Sequence, residues 1–380
     1  MTVKTINKQL LADVIQGLTH SPKYLESKYF YDDEGSRIFQ QIMQMPEYYL
    51  TNCEYEIFDR KADEILAWFA PKNEPLDIIE LGAGDGYKTR VLLTHFMLEA
   101  ADIRYFPVDI SEAANRKLLS ATKKALPELY IKPYTGDFFE VLAGLPVMDN
   151  RRKVFLFLGS SVGNFDKTSA ETFFRHIGQF MSANDLLFVG FDLKKDPDIV
   201  LPAYDDPHGY TAAFNLNLLN RINRELDADF NLKDFKHYAT YDPLSGEAKS
   251  YLISLKSQNV NIGVTGQTLF FDLWEPVFME ISQKYDNEMI HSLENPTMRK
   301  ILLLLFAIAF SSVLLKAQAP ADYYNTATGT GYTLKTQLHD IIDGHDAQSY
   351  DALWTHFQTI EVDNYYENDG SPLDVYSENP

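Results

Sequence analysis

Glu80, Gly82, Gly84, Gly86 and Asp109 are the residues whose types and spacing first point to chemistry. The three glycines fall at every second position in Leu81-Gly82-Ala83-Gly84-Asp85-Gly86-Tyr87-Lys88. Glycine lets the backbone turn sharply and leaves room for a ligand against the peptide planes. A G-x-G-x-G turn by itself is common. Here it follows an apolar strand signal ending in Glu80-Leu81, and a second such strand ends in Asp109. That aspartate follows Gly86 by close to the ~20 residues at which an acidic group meets a ribose diol. A nucleotide-binding turn is the reading these residues support together.

The elements that must hold this turn alternate in type. Strand signals at 76–81, 103–108, 132–134, 154–158 and 185–192 are separated by helical stretches, beginning with 88–96. This pattern predicts an α/β fold, a mostly parallel Rossmann-like sheet with helical crossovers. In such sheets ligands bind outside the carboxyl ends of the strands. The glycine turn, Asp109, Gly136-Asp137-Phe138 and the loop 158–165 with Asn164 all fall there.

Two flanking regions differ from the sheet. Residues 1–60 read as helical, at 9–18, 36–44 and a helix 54–69 running out of the region, and are crowded with Tyr24, Tyr29, Phe30, Tyr31, Phe39, Tyr48 and Tyr49. Such a cluster suits a lid over a pocket. After Asp192 come a helix at 209–227 and strand signals at 235–241, 248–256, 259–264, 267–271 and 276–281, which read as an inserted, antiparallel α+β subdomain. The expected organisation is a helical part of the substrate domain (1–60), a nucleotide-binding domain (61–195), an inserted substrate-binding subdomain (196–285) and a short helix and junction (286–297).

Bulk properties narrow the partners. A net charge of −20 offers no broad basic face for nucleic acid. A single cysteine, Cys53, rules out an internal disulfide and fits a reducing, cytoplasmic compartment. No CxxC or HExxH spacing occurs, so no dedicated metal site is expected. The first residues lack the sustained apolar run of a secretory signal.

A signal-like pattern stands instead at 298–319. Met298-Arg299-Lys300 precedes an apolar run, 301–315, interrupted only by Ser311 and Ser312, and Ala317-Gln318-Ala319 closes it. Basic, apolar and A-x-A parts in that order form a signal peptide. We read Met298 as the start of a second, unrelated reading frame joined to the first. Fifteen apolar residues are few for a membrane span, so attachment to a membrane is expected only if 301–315 provides it.

The residues from about 5 to 290 resemble the S-adenosylmethionine-dependent histidine Nα-methyltransferases of the ergothioneine pathway. The likeness runs through Lys28-Tyr29-Phe30-Tyr31-Asp32-Asp33-Glu34-Gly35-Ser36, Pro46-Glu47-Tyr48-Tyr49, the glycine turn with Lys88-Thr89-Arg90, and Pro107-Val108-Asp109-Ile110-Ser111. It continues in Gly136-Asp137-Phe138, the loop 158–165, Lys195-Asp196-Pro197, Ala203-Tyr204-Asp205-Asp206, the run 211–219 and Glu280-Ile281-Ser282-Gln283-Lys284-Tyr285. The resemblance implies a class I methyltransferase sheet and Nα-methylation of L-histidine toward the trimethylated betaine hercynine. Gly82, Lys88, Asp109, Asp137 and Phe138 would hold S-adenosylmethionine. Tyr48, Phe39, Asn164, Tyr204, Glu280 and Ser282 would hold the amino acid, with Tyr31 and Phe39 lining the pocket and Tyr31 and Tyr48 as the catalytic residues. It also implies a monomer. Two wordings depart from the family's usual one: Met279 stands where Thr is common, and Ile253 where a Met lies near the imidazole. Methylation of another amino acid such as tryptophan, and a non-catalytic remnant lacking the closing strands of the sheet, stand as alternatives.

The tail, 320–380, is similar to the opening part of a secreted bacterial endonuclease I-like family, in Gly329-Thr330-Gly331, Leu334-Lys335, His339-Asp340-Ile341-Ile342 and Tyr350-Asp351-Ala352-Leu353-Trp354. Helices are expected at 334–343 and 349–357. The metal-nuclease core of that family would lie beyond Pro380, so no nuclease activity is expected.

Overall fold

The computed structural model describes residues 7–145, 151–293 and 306–307, all within one compact unit, Met1–Ile308. The two helices expected in the tail lie outside the described residues.

The chain opens with α1 (Lys8–Thr19), capped by the Asn7 side chain accepting from the Leu10 N–H at 3.1 Å. Leu10, Val14 and Leu18, four apart, are its buried stripe. A short strand, β1 (Lys23–Tyr24), precedes α2 (Asp33–Ile42), whose start is capped by Asp32 and carries Asp33 and Glu34 against the helix dipole. The single helix expected at 54–69 is two: α3 (Leu50–Arg60) and α4 (Ala62–Phe69). Lys61 leaves helical geometry (φ −117°, ψ 15°) between them. The break brings Phe58, Ile65 and Phe69 into one core.

Next come β2 (Leu76–Leu81), α5 (Thr89–Leu98), β3 (Ile103–Asp109), α6 (Glu112–Ala125), β4 (Tyr130–Ile131), β5 (Tyr134–Thr135), α7 (Phe138–Gly144), β6 (Arg152–Phe157), α8 (Lys167–Gln179) and β7 (Leu186–Phe191). The strands form a parallel sheet in the order β7-β6-β2-β3-β4, with β5 also on β3. The one strand expected at 132–134 is split around Lys132-Pro133, because proline has no N–H to continue the ladder. Both faces of the sheet are covered. Ile78 and Tyr105 enter a core with α3, α4 and α5, while Ile79 and Phe106 enter one with α7 and α8. Two-sided burial explains why β2 and β7 are buried at every position.

The third part contains α9 (Pro197–Val200), α10 (Tyr210–Leu226), β8 (Phe235–Asp242), β9 (Glu247–Ser254), the hairpin β10 (Gln258–Ile262) and β11 (Gln267–Phe271), and β12 (Pro276–Gln283). Its sheet runs β1-β12-β9-β8, antiparallel except that β1 lies parallel to β12. The N-terminal region is therefore not wholly helical: Lys23 and Tyr24 pair with Val277 and Phe278. Residue 279 is an extra residue in β12, since Phe278 pairs with Tyr251 and Glu280 with Ser250. Residues opposite each other in a ladder share a face. The bulge thus puts Val277 before it, and Glu280 and Ser282 after it, on one face with Leu252, Ser250 and Ala248.

The two sheets are joined at their ends. The Tyr285 N–H donates to Asp192 O at 2.8 Å and the Lys194 N–H to Tyr285 O at 2.8 Å, so the end of β12 runs on beside the end of β7. Then α11 (Asn287–Leu293) buries Ile290 and Leu293 in the α7–α8 core. Beyond β7 the sheet edge carries, among the described residues, only the two-residue β13 (Phe306–Ala307), parallel to β7 and drawn from the apolar run. The rest of 298–319 lies outside the described residues. No helix among the described residues is long and apolar enough to cross a membrane.

Candidate active site

The glycine turn follows the central strand β2. Gly82, Gly84 and Gly86 have φ of 73°, 57° and 63°, the left-handed region that a side chain disfavours. The Gly84 N–H donates to Asp109 Oδ2 at 2.9 Å, and the Ser111 N–H donates to Oδ1 at 2.8 Å. Burial raises the Asp109 carboxyl, against the pull of these amides. Each carboxylate oxygen keeps a further lone pair for a hydroxyl. The Phe138 ring stands over the turn: a Cβ at Gly82 would lie 3.7 Å from its Cζ, while one at Gly84 would meet nothing within 4 Å. Asp137 caps α7, accepting from the Phe139 and Glu140 N–H groups. An open, amide-lined turn with an acidic acceptor and an aromatic ring fits a nucleoside such as that of S-adenosylmethionine.

The Lys88 ammonium is paired with Glu54 of α3, whose other oxygen accepts from the Gly159 N–H at 2.6 Å. Tyr87 and Tyr55 stack beside that pair, with ring centroids 5.6 Å apart. Glu54 therefore ties α3 to both the glycine turn and the loop after β6. Asn164 is exposed at the end of the 3-10 turn 161–164. The turn packs against the end of β12: a Cβ at Gly163 would lie 2.8 Å from Gln283 O.

The other expected residues converge. Tyr31 and Phe39 meet edge-on at 5.4 Å, Phe39 and Tyr48 at 6.1 Å, and Phe214 of α10 packs on Tyr31 at 5.5 Å and Phe39 at 5.7 Å. Burial first, then the charges of Glu280 and Asp109 and the neighbouring phenols of Tyr48 and Tyr204, holds the Tyr31 phenol well above its usual range. Tyr48 is raised in the same way by burial, Tyr204 and Glu280. Both phenols stay neutral and offer ring faces and hydroxyls rather than phenolate bases. Loss of solvent pushes the Glu280 carboxyl up to about 7, opposed by the charge of Lys284. Ser282 Oγ lies 2.8 Å from the Tyr204 hydroxyl.

Glu80 has a structural place. It accepts from Thr89 Oγ1 at 2.7 Å and from the Tyr105 hydroxyl, and burial pushes it up to about 7. Ile253 is corrected: it sits opposite Pro276 and Lys236, on the other face of β9 from Glu280, whose partner is Ser250. Sequence reasoning missed Phe214, Glu54, Lys284 and Asp192 as parts of the site. A lysine two positions after Ser282, in step with Glu280 and Ser282, and an aspartate ending an apolar strand were the available signals. Among the described residues Asp63, His95 and Glu99 bring ligand atoms within 4.8 Å of one another, on the outer side of α4 and α5.

The sequence model of the family described as "Histidine-specific methyltransferase, SAM-dependent" matches residues 10–299, and that of Endonuclease I matches 330–380. Histidine N-alpha-methyltransferase of Mycobacterium tuberculosis is 37% identical over 280 residues, 73% of this chain and 84% of that protein. The protein of the same name from Mycolicibacterium smegmatis is 34% identical over 281 residues, 74% of this chain and 86% of its own length. Ergothioneine biosynthesis protein 1 of Schizosaccharomyces pombe is 32% identical over 234 residues, 60% of this chain and 30% of that protein.

Proposed function

Because the chain belongs to the family of histidine-specific, S-adenosylmethionine-dependent methyltransferases, we propose that it methylates the α-amino nitrogen of L-histidine toward the trimethylated betaine hercynine. Bound S-adenosylmethionine supplies a methyl group activated by the sulfonium. Each transfer forms one N–C bond and breaks one S–C bond, releasing S-adenosylhomocysteine. The amine reacts only when unprotonated, so it must lose a proton before each of the three transfers. The third leaves a quaternary nitrogen with no proton left to lose.

One observation carries this reading: Tyr31, Phe39 and Tyr48 of the N-terminal part form one ring-to-ring cluster with Phe214 of α10, and the buried Tyr204 hydroxyl lies 2.8 Å from Ser282 Oγ, two residues from Glu280. Gly82, Asp109, Asp137, Phe138 and Lys88 hold the donor at the sheet edge. Asn164 and Tyr204 donate to the substrate carboxylate, Glu280 and Ser282 pair with the imidazole nitrogens, and Tyr48 holds the amino acid beside them. Phe39, Tyr31 and Tyr48 present aromatic faces to the growing methylammonium charge. Alignment of nitrogen, methyl and sulfur is the main catalytic contribution, and no covalent enzyme intermediate is needed. Following S-adenosylhomocysteine release with histidine, tryptophan and other amino acids tests the assignment. Release with histidine at far lower concentration than with any rival is expected, and preference for another amino acid overturns it.

The enzyme works as a cytoplasmic monomer in this reading, with 1–60 and 196–285 forming the substrate-binding part and 61–195 the donor-binding part. Residues 298–319 are a signal-like segment and 320–380 a partial endonuclease-like tail joined to it, a reading supported by the Endonuclease I match at 330–380. Resequencing the coding DNA across codons 285 to 300 tests it: a frame without Met298–Pro380 is expected, and an unchanged sequence overturns the junction.

A further inference from the structure

The Lys284 side chain is fully buried and so is Asp192, its ion-pair partner at 2.9 Å. The ammonium also donates to the Tyr204 hydroxyl at 2.6 Å and to Ser282 Oγ at 2.8 Å. Three N–H groups meet three acceptors, so none of the donors is left over. Asp192 is itself held by the Tyr49 hydroxyl at 2.7 Å and by Lys195. Burial alone would raise its carboxyl, but the charges of Lys284 and Lys195 keep it below the ordinary range. The ion pair beneath the two hydroxyls is thus anchored by Tyr49 and Lys195 on its far side.

This geometry determines where the hydroxyl protons go. Lys284 occupies a lone pair on each oxygen, so neither hydroxyl can turn its proton toward the lysine. Tyr204 and Ser282 lie 2.8 Å apart, and one proton is used between them. One hydroxyl proton remains, and it must point away from the lysine. We propose that Lys284, clamped by Asp192, is a positioning residue that orients the Tyr204 and Ser282 hydroxyls so that one proton is presented to the bound amino acid. The pair touches the hydroxyls and not the reacting atoms. The inference rests on the assignment of Tyr204 and Ser282 to the substrate, and extends it to what makes their donor direction definite.

The test compares wild type, K284M, Y204F and the double variant by titration with histidine and, separately, with S-adenosylhomocysteine, together with steady-state kinetics. Methionine keeps the length of lysine and removes its donors. The expected result for K284M is a histidine Kd and KM at least tenfold higher, with kcat changed less than threefold and S-adenosylhomocysteine affinity within twofold. In the Y204F background the same change costs markedly less, because the hydroxyl through which Lys284 acts is already gone. If K284M does not fold, K284Q takes its place, since its amide can still hydrogen-bond Asp192, which keeps its pair with Lys195. Equal loss of histidine and S-adenosylhomocysteine binding, or strict additivity with Y204F, overturns the proposal and leaves Lys284 a structural residue. Unchanged histidine binding overturns it too. Failure of the wild type to bind histidine is a different outcome: it sinks the substrate assignment and this inference with it.

Discussion

Glu280 carries its raised carboxyl among the buried phenols of Tyr31, Tyr48 and Tyr204, which makes the stability of the free protein depend on pH in a definite direction. Its folded value of about 7 lies above the ordinary 4.5, so the folded chain holds the proton more tightly than the unfolded chain. The stabilisation is present at low pH and is lost as pH rises from about 4.5 through about 7. Glu80, with the same displaced value, contributes with the same sign. Thermal unfolding of the ligand-free protein across this window is expected to show a falling midpoint. E280Q is expected to flatten the fall in part, leaving the share due to Glu80. Because buried His237, shifted down, contributes with the opposite sign, the readout is the difference between the two proteins, and an E280Q profile parallel to wild type contradicts the assignment.

The extra residue at Met279 and the turn at Gly163 are the two devices that aim the site at the level of whole elements. Deleting Met279 removes the extra residue but leaves Glu280 opposite Ser250 and Ser282 opposite Ala248, on the same face as before. Histidine binding is therefore expected to survive the deletion, while the loss of the buried Met279 side chain lowers stability, as titration and denaturant unfolding would show. G163A drives a methyl into the backbone of Gln283, which has no side-chain freedom with which to yield. A loss of about 1–3 kcal/mol in denaturant unfolding is expected. Such features explain what could be read without coordinates. The parallel strands were legible because two-sided burial writes continuous apolar runs, and Gly82, Asp109 and Phe138 followed from the rule about strand ends. The bulge left no mark in composition, since Met279 is apolar and buried like Val277. The face of Ile253 was misjudged for a related reason: register decides it, and register is a property of the pair of strands. The Lys61 break likewise depends on which core Phe58 and Phe69 share.

At the scale of the molecule, every side chain assigned to the site lies between Tyr31 and Lys284, well inside the unit Met1–Ile308. A chain ending at residue 308 is therefore expected to bind histidine and S-adenosylhomocysteine within about twofold of the full chain, a difference below ~0.5 kcal/mol. A larger loss in calorimetric titration would assign the tail a part in binding. Within that unit, the end of β12 combines two tasks in a few consecutive residues: Glu280 and Ser282 share the face proposed for the substrate, while Lys284 and Tyr285 fasten the strand to the end of β7. Natural variants that acquire a taste for a different side chain should consequently leave this strand alone. They should change instead at the positions that view the cavity without bearing the join, Ser250 on the neighbouring strand and Phe39 on its helix, where a new shape can be tried without loosening the frame that holds it.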